Sequence, residues 1–332
     1  MKSIGFLGVG HYVPETIVKN DDFVARGLDT SDEWIVSRTG IRERRVAAEN
    51  EATSDLAVKA AEAALKNAGV SPSEIDLIVL ATSTPDHLAF PSTAAIVQHR
   101  LGVPMVPAFD VSAACSGFNY ALTVAHQFCL SGAAKKVLVI AADCLSKIVN
   151  WDDRSTCILF GDGAGAVVLG EVAPGFGLLS SDLHANGAEA TSLIIPDGGT
   201  RQPITPEIIA ARTNKIAMNG KAVFKLAVSV VGPSIELALK SAGLTIDDLD
   251  LLIPHQANYR IVEAARERLG IRENQVFMNL DKYGNTSAAS IPIALSEAVS
   301  TGVLKPGMIL ALTGFGAGFT WGTNIVKWGV GK

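Results

Sequence analysis

The chain has 332 residues, of which 48% are hydrophobic and 18% charged, with a formal net charge of −5. This composition excludes a disordered chain and suits two packed α/β units or one large one. The acidic balance, with a pI near 5.7, excludes a general nucleic-acid binder, which needs a basic field.

In chain order, residues 1–15 (MKSIGFLGVGHYVPE) carry one lysine and a short apolar run broken by glycines. They read as a first β-strand and not as a signal peptide. No stretch is expected to approach the roughly 18 apolar residues that a membrane span needs.

Residues 61–79 (AEAALKNAGVSPSEIDLIV) and 235–253 (IELALKSAGLTIDDLDLLI) align without a gap. Glu62/Glu236, Ala64/Ala238, Leu65/Leu239, Lys66/Lys240, Ala68/Ala242, Gly69/Gly243, Asp76/Asp250 and Leu77/Leu251 are identical. Each copy predicts an amphipathic helix stopped at an Ala-Gly pair, then an acidic turn, then an apolar strand. The recurrence of all four parts in order argues for duplication. The halves would be residues 1–172 and 173–332.

Further strands are predicted at 106–111, 135–143, 165–170 and 307–315. Helices are predicted at 92–101, 115–131, 221–242, 258–269 and 290–301. Alternation with near-continuous apolar strands predicts an α/β class with mixed or parallel sheets covered by helices. Two such halves back to back form an α/β/α/β/α stack.

Four stretches could carry chemistry. In VSAACSGFN (111–119), Cys115 falls at a strand-to-helix turn, where free N–H groups and the helix dipole favour a thiolate. A small buried hydrophobe is the competing reading. The other cysteines, Cys129, Cys144 and Cys157, fall in apolar runs. The four show neither Cys-x-x-Cys spacing nor a Cys/His cluster, so reduced thiols and a cytoplasmic location are expected, without metal. In LLIPHQAN (251–258), His255 and Asn258 follow a strand at its carboxyl end, where open α/β sheets bind ligands. Asn285, in YGNTSAAS (283–290), precedes a helix and could be a turn residue only. GFGAGFTWG (314–322) is a glycine-dense turn able to present N–H groups to an oxyanion. It and GDGAGAVVLG (161–170) lack the following helix of a dinucleotide-binding fingerprint.

Together with DTSDEWIVSRTGIRERR (29–45), these stretches resemble, in order, the motifs of the β-ketoacyl–acyl-carrier-protein synthase III family, the initiating condensing enzymes of the thiolase superfamily. The resemblance implies a thiolase-like fold and a triad at Cys115, His255 and Asn285. It places backbone oxyanion donors at Cys115 and in the Gly316-Ala317-Gly318 turn. It implies coenzyme A contacts at Trp34 and Arg154 (flanking adenine), Arg38 (phosphates) and Asn258. Lys225, Arg260 and Arg268, with Arg266 nearby and Glu267 interrupting, would dock an acidic carrier protein. Phe90 would close the partner's acyl pocket in a homodimer, or would serve as an apolar loop anchor.

The implied reaction condenses a short acyl-CoA with malonyl–acyl-carrier protein, giving 3-oxoacyl-carrier protein, CO2 and coenzyme A. It initiates fatty-acid synthesis through an acyl-cysteine, without a resident cofactor, nucleic acid or membrane. A second cysteine in the glycine turn would mark a non-decarboxylating thiolase, and a second histidine an elongating enzyme. The turn has no cysteine, and Asn285 stands at the second position. The alternatives are a secondary-metabolism ketosynthase with another primer or nucleophile, a thioester hydrolase and a non-catalytic binding module. The turn has Ala317 where a familiar form has a third glycine. The segment 189–215 is longer than in short members and is expected at the channel mouth or dimer surface.

Overall fold

The structure, a computed structural model, describes residues 2–329. Nine strands build two sheets. In the first half these are β1 (Ile4–Tyr12), β2 (Leu77–Ala81), β3 (Ala108–Val111), β4 (Val137–Cys144) and β5 (Asp162–Glu171). In the second they are β6 (Gly177–Ala185), β7 (Leu251–Pro254), β8 (Ile309–Gly316) and β9 (Thr320–Lys327). The sheet orders are β1-β5-β4-β2-β3 and β6-β9-β8-β7. Every residue of β2 and β4 is buried, because helices cover both faces.

Seven helices position the layers and the site: α1 (Asp32–Thr39), α2 (Thr53–Ala68), α3 (Thr93–Arg100), α4 (Gly117–Leu130), α5 (Gly220–Ser241), α6 (Tyr259–Leu269) and α7 (Ser290–Ser300). Helix α2 covers the outer face of the first sheet, and α5 the outer face of the second. Helices α4 and α7 lie between the sheets and touch both. The five layers are those expected. Between the sheets, α4 buries Phe118, Ala121, Leu122 and Ala125, and α7 buries Ile291, Ile293, Ala294 and Leu295. Full burial of a Leu, Ile or Phe side chain is worth roughly 1.5–3 kcal/mol.

The internal repeat is legible in the hydrogen bonds. Strands β2 and β4 run parallel, as do β7 and β8, and each pair continues into an antiparallel neighbour. Asp76 Oδ2 accepts the N–H groups of Lys135 and Lys136 just before β4, at 2.7 and 2.9 Å. Its counterpart Asp250 accepts that of Ile309 at the start of β8, at 2.8 Å. The repeated aspartate thus ties the first residues of the neighbouring strand in each half. Gly69 and Gly243 both take the left-handed conformation, with φ of 63° and 73°, that ends each helix.

Two expectations need correction. The 22-residue α5 is long and apolar enough, by length and composition, to cross a membrane. It instead packs its apolar face, including Val223, Ala227, Val231 and Ile235, onto the second sheet. Cys115 does not open α4 either; it sits in a 3₁₀ turn, Ala114–Ser116, immediately ahead of it.

Candidate active site

The loop after β3 turns sharply enough to force Ala114 to a φ of 44°, presenting Cys115 between the two halves. The glycine turn of β8–β9 presses on it from the other side. A Thr320 hydroxyl lies 3.0 Å from the carbonyls of both Ala113 and Ala317, and 2.8 Å from the Ser116 hydroxyl. These bonds lock the Cys115 turn to the Gly316-Ala317-Gly318 turn. The Ala317 N–H meets no backbone or side-chain acceptor among the described residues.

His255 follows β7, its backbone N–H donating to Thr313 of β8 at 2.7 Å. The buried ring packs edge-on against Phe315, centroids 5.3 Å apart. Burial pushes its pKa down to about 3, so the imidazole is neutral. Asn285 is fixed by its backbone: its N–H donates to Leu159, and its carbonyl accepts from Gly161. Its side-chain Oδ1 accepts the Ser287 N–H at 2.8 Å. That bond uses the acceptor end of the carboxamide and, among the described residues, leaves the Nδ2 donors without a partner.

Cys115, His255 and Asn285 line one chamber of about 120 Å³. The residues came from separate parts of the sequence, and the fold brings all three together. The thiol is not ionised as the helix end alone would suggest. Burial pushes its pKa up to about 12, and the charge of buried Asp143 adds to the rise. A hydrogen bond from Ser287 opposes these effects without reversing them. Desolvation wins because the first turn offers only partial charges.

The chamber opens in two directions. Outward, Asn258, Phe224, Met218 and Leu159 are shared with a wide vestibule. Trp34, Arg38 and Arg154 line that vestibule. The Arg154 guanidinium carbon lies 4.8 Å from the indole centroid and that of Arg38 5.9 Å. Arg154 is also paired with Asp29 at 3.2 Å. Asn258 caps α6: Oδ1 accepts the Arg260 N–H at 2.8 Å and Nδ2 donates to the Arg38 carbonyl at 3.0 Å. It therefore shapes the wall and braces Arg38, with one N–H left over.

Inward, Cys115 and Phe160 lead to a pocket of about 110 Å³, walled by Leu145, Ile148, Leu193 and Ile216. The residues of these walls are not among those that the sequence motifs single out. Its walls come partly from the long 189–215 segment, whose Leu193–Ile194 pair with Ala217–Met218. The apolar run Leu193-Ile194-Ile195 in a polar stretch was the available signal. Ser287 and Ser290 were also missed as site residues.

Lys225, Arg260 and Arg268 are exposed and form no ion pair among the described residues, and of the three Arg260 lines the vestibule. Arg266 is taken by Glu263. Phe90, Leu88 and Met105 are almost fully exposed, and Phe90 lines no part of its own chain's pocket.

Residues 109–187 match the family model described as 3-oxoacyl-[acyl-carrier-protein (ACP)] synthase III, and residues 239–328 match its C-terminal model. A beta-ketoacyl-[acyl-carrier-protein] synthase III of Caldanaerobacter subterraneus is 52% identical over 324 residues, spanning 98% of this chain and 97% of that one. The chain belongs to the 3-oxoacyl-[acyl-carrier-protein] synthase III family. A second relative of the same name, from Natranaerobius thermophilus, is 50% identical over 99% of this chain and 100% of its own. The crystal structure of beta-ketoacyl-[acyl-carrier-protein] synthase III from Thermus thermophilus superposes with a TM-score of 0.91 at 48% identity, over 98% of this chain and 99% of that one. The chain is thus an acyltransferase of the condensing class with a thiolase-type fold.

Proposed function

We propose that the chain condenses a short acyl-CoA with malonyl–acyl-carrier protein, starting a fatty-acid chain. The observation that carries this reading is the single chamber shared by Cys115, His255 and Asn285, set between an open vestibule and an apolar pocket.

Coenzyme A lies in the vestibule with its phosphates near Arg38, and its adenine enters between Trp34 and Arg154 as the guanidinium, 4.8 Å from the indole centroid in the substrate-free chain, lifts off the ring. The Cys115 sulfur forms a bond to the thioester carbonyl carbon while the carbonyl oxygen takes N–H bonds from Cys115 and Ala317. The carbon–sulfur bond to coenzyme A then breaks, and the thiol proton ends on the departing sulfur. The acyl chain rests against Leu145, Ile148, Leu193 and Ile216, a wall that favours uncharged short chains.

Malonyl-carrier protein then enters, guided by Lys225, Arg260 and Arg268. As the carbon–carboxylate bond breaks, the electron pair moves onto the thioester oxygen, stabilised by His255 Nε2–H and Asn285 Nδ2–H. Carbon dioxide leaves, the carbon nucleophile attacks the acyl-cysteine carbonyl carbon, the carbon–sulfur bond to Cys115 breaks, and the departing thiolate takes a proton from water. No resident cofactor takes part, and the four free thiols suit a cytoplasmic location. The exposed apolar side chains of Leu88 and Phe90, on one loop, support a homodimer in which Phe90 reaches the partner's pocket.

The test is intact-protein mass spectrometry with a panel of acyl-CoAs. One acyl mass should appear on Cys115 and vanish when malonyl-carrier protein is added. An adduct elsewhere, or one discharged as free acid by water alone, would refute the condensation.

A further inference from the structure

We propose that Ser290 is a positioning residue that sets the tautomer of His255, and this rests on the donor role given to His255 above. Ser290 is the first residue of α7 and is buried beneath the chamber. Its hydroxyl oxygen lies 2.7 Å from His255 Nδ1. It also accepts the backbone N–H of Gln256 at 3.2 Å.

The direction of the first bond follows from counting donors and acceptors. The only acceptor within bonding distance of the Ser290 proton, among the described residues, is His255 Nδ1. If Nδ1 carried a proton, it would donate to Ser290, and the serine's own proton would be buried without a partner. An unmet buried hydroxyl proton is costly, so the hydroxyl donates and Nδ1 accepts. With the imidazole neutral, its one proton must then sit on Nε2, the nitrogen left for the chamber. In many enzymes a carboxylate or carbonyl partner fixes the opposite tautomer, with the proton on Nδ1.

Two consequences follow. His255 meets the substrate as a hydrogen-bond donor, matching the free Nδ2–H of Asn285. It also cannot take the Cys115 proton through Nε2, because that nitrogen has no free lone pair. Phe315, edge-on to the ring, limits its rotation but cannot choose between tautomers. Only Ser290 does.

The experiment is nitrogen-15 NMR on protein labelled at histidine, with His255 assigned by its loss in His255→Asn. The wild-type chain should show a single neutral tautomer, protonated at Nε2. Ser290→Ala should show a mixture, and Ser290→Thr, which keeps the hydroxyl, should restore the wild-type pattern. In parallel, Ser290→Ala should slow malonyl decarboxylation about tenfold, the value of one ordinary hydrogen bond. Its acylation by acyl-CoA should suffer much less, and Ser290→Thr should recover most of the loss. A wild-type Nδ1–H tautomer would overturn the proposal. So would a Ser290→Thr chain that is folded but no better than Ser290→Ala, or equal loss of both half-reactions. The NMR reading needs no substrate, so its failure is distinct from failure of the proposed condensation.

Discussion

A Cβ placed on Gly316 would sit 2.5 Å from the backbone nitrogen of Cys115. The glycine turn of one half therefore touches the very N–H that the other half offers to an oxyanion. That contact predicts the behaviour of Gly316→Ala. The added methyl meets backbone, which cannot swing aside, so the two turns must part. Release of coenzyme A from acyl-CoA should slow by about 10²–10³-fold, the range for losing one oxyanion donor. Unchanged release, measured by thiol titration in a folded variant, would show that the turns need not touch.

Asn285→Asp tests the division between the two steps. The carboxamide is held with Oδ1 on the Ser287 N–H, leaving Nδ2 to donate. A carboxylate keeps the Ser287 bond but replaces the donor with a negative oxygen facing the enolate. Decarboxylation should fall by roughly 10²–10³-fold or more, while acylation of Cys115 stays within a few-fold. Separate assays of carbon dioxide and coenzyme A release distinguish the two rates.

The pH dependence follows from two shifts of opposite sense. Burial disfavours the imidazolium, lowering the His255 pKa to about 3. The ring should therefore stay neutral from about pH 5 to 8, where an ordinary histidine titrates. Burial also disfavours the thiolate, raising Cys115 to about 12. Alkylation by iodoacetamide in the substrate-free protein should be slow at neutral pH and keep rising well past the ordinary thiol range. A plateau in alkylation near pH 7 would mean that the thiol ionises in spite of its burial.

Trp34→Ala should raise KM for acyl-CoA. Stacking between indole and guanidinium makes the loss roughly 3- to 30-fold. A truncated acyl thioester without the nucleotide cannot use that contact, so its acylation rate should not change. A similar penalty for both substrates would place the adenine elsewhere.

Much of the fold was legible because its signals are local. The strands of the core read as apolar runs, since helices cover both faces and no solvent side imposes alternation. Gly69 and Gly243 ended their helices where the chain needed a left-handed residue. The boundary at Cys115 was less legible. The run from Ser116 to Leu130 looks helical throughout, but Ala114 must bend to deliver the thiol, and the helix opens only at Gly117. The apolar face of α5 was legible as a periodicity, yet its length and hydropathy alone also fit a membrane span. Only the second sheet packed against it decides between the two.

By itself the sequence determined the order of elements and the duplication, and its family motifs pointed to Cys115, His255 and Asn285. Each depends on spacing along the chain or on the chemistry of a single side chain. The tertiary structure alone decided the burial that holds Cys115 protonated, the serine against His255 Nδ1, the side-chain orientation of Asn285 and the walls of the pocket beyond Cys115. These depend on burial and on hydrogen-bond partners that arrive from distant segments. Ser290 lies 35 residues from His255, and Leu193 lies farther still from Cys115. No local pattern records such neighbours, because a pKa or a proton's position is set by everything packed around the group.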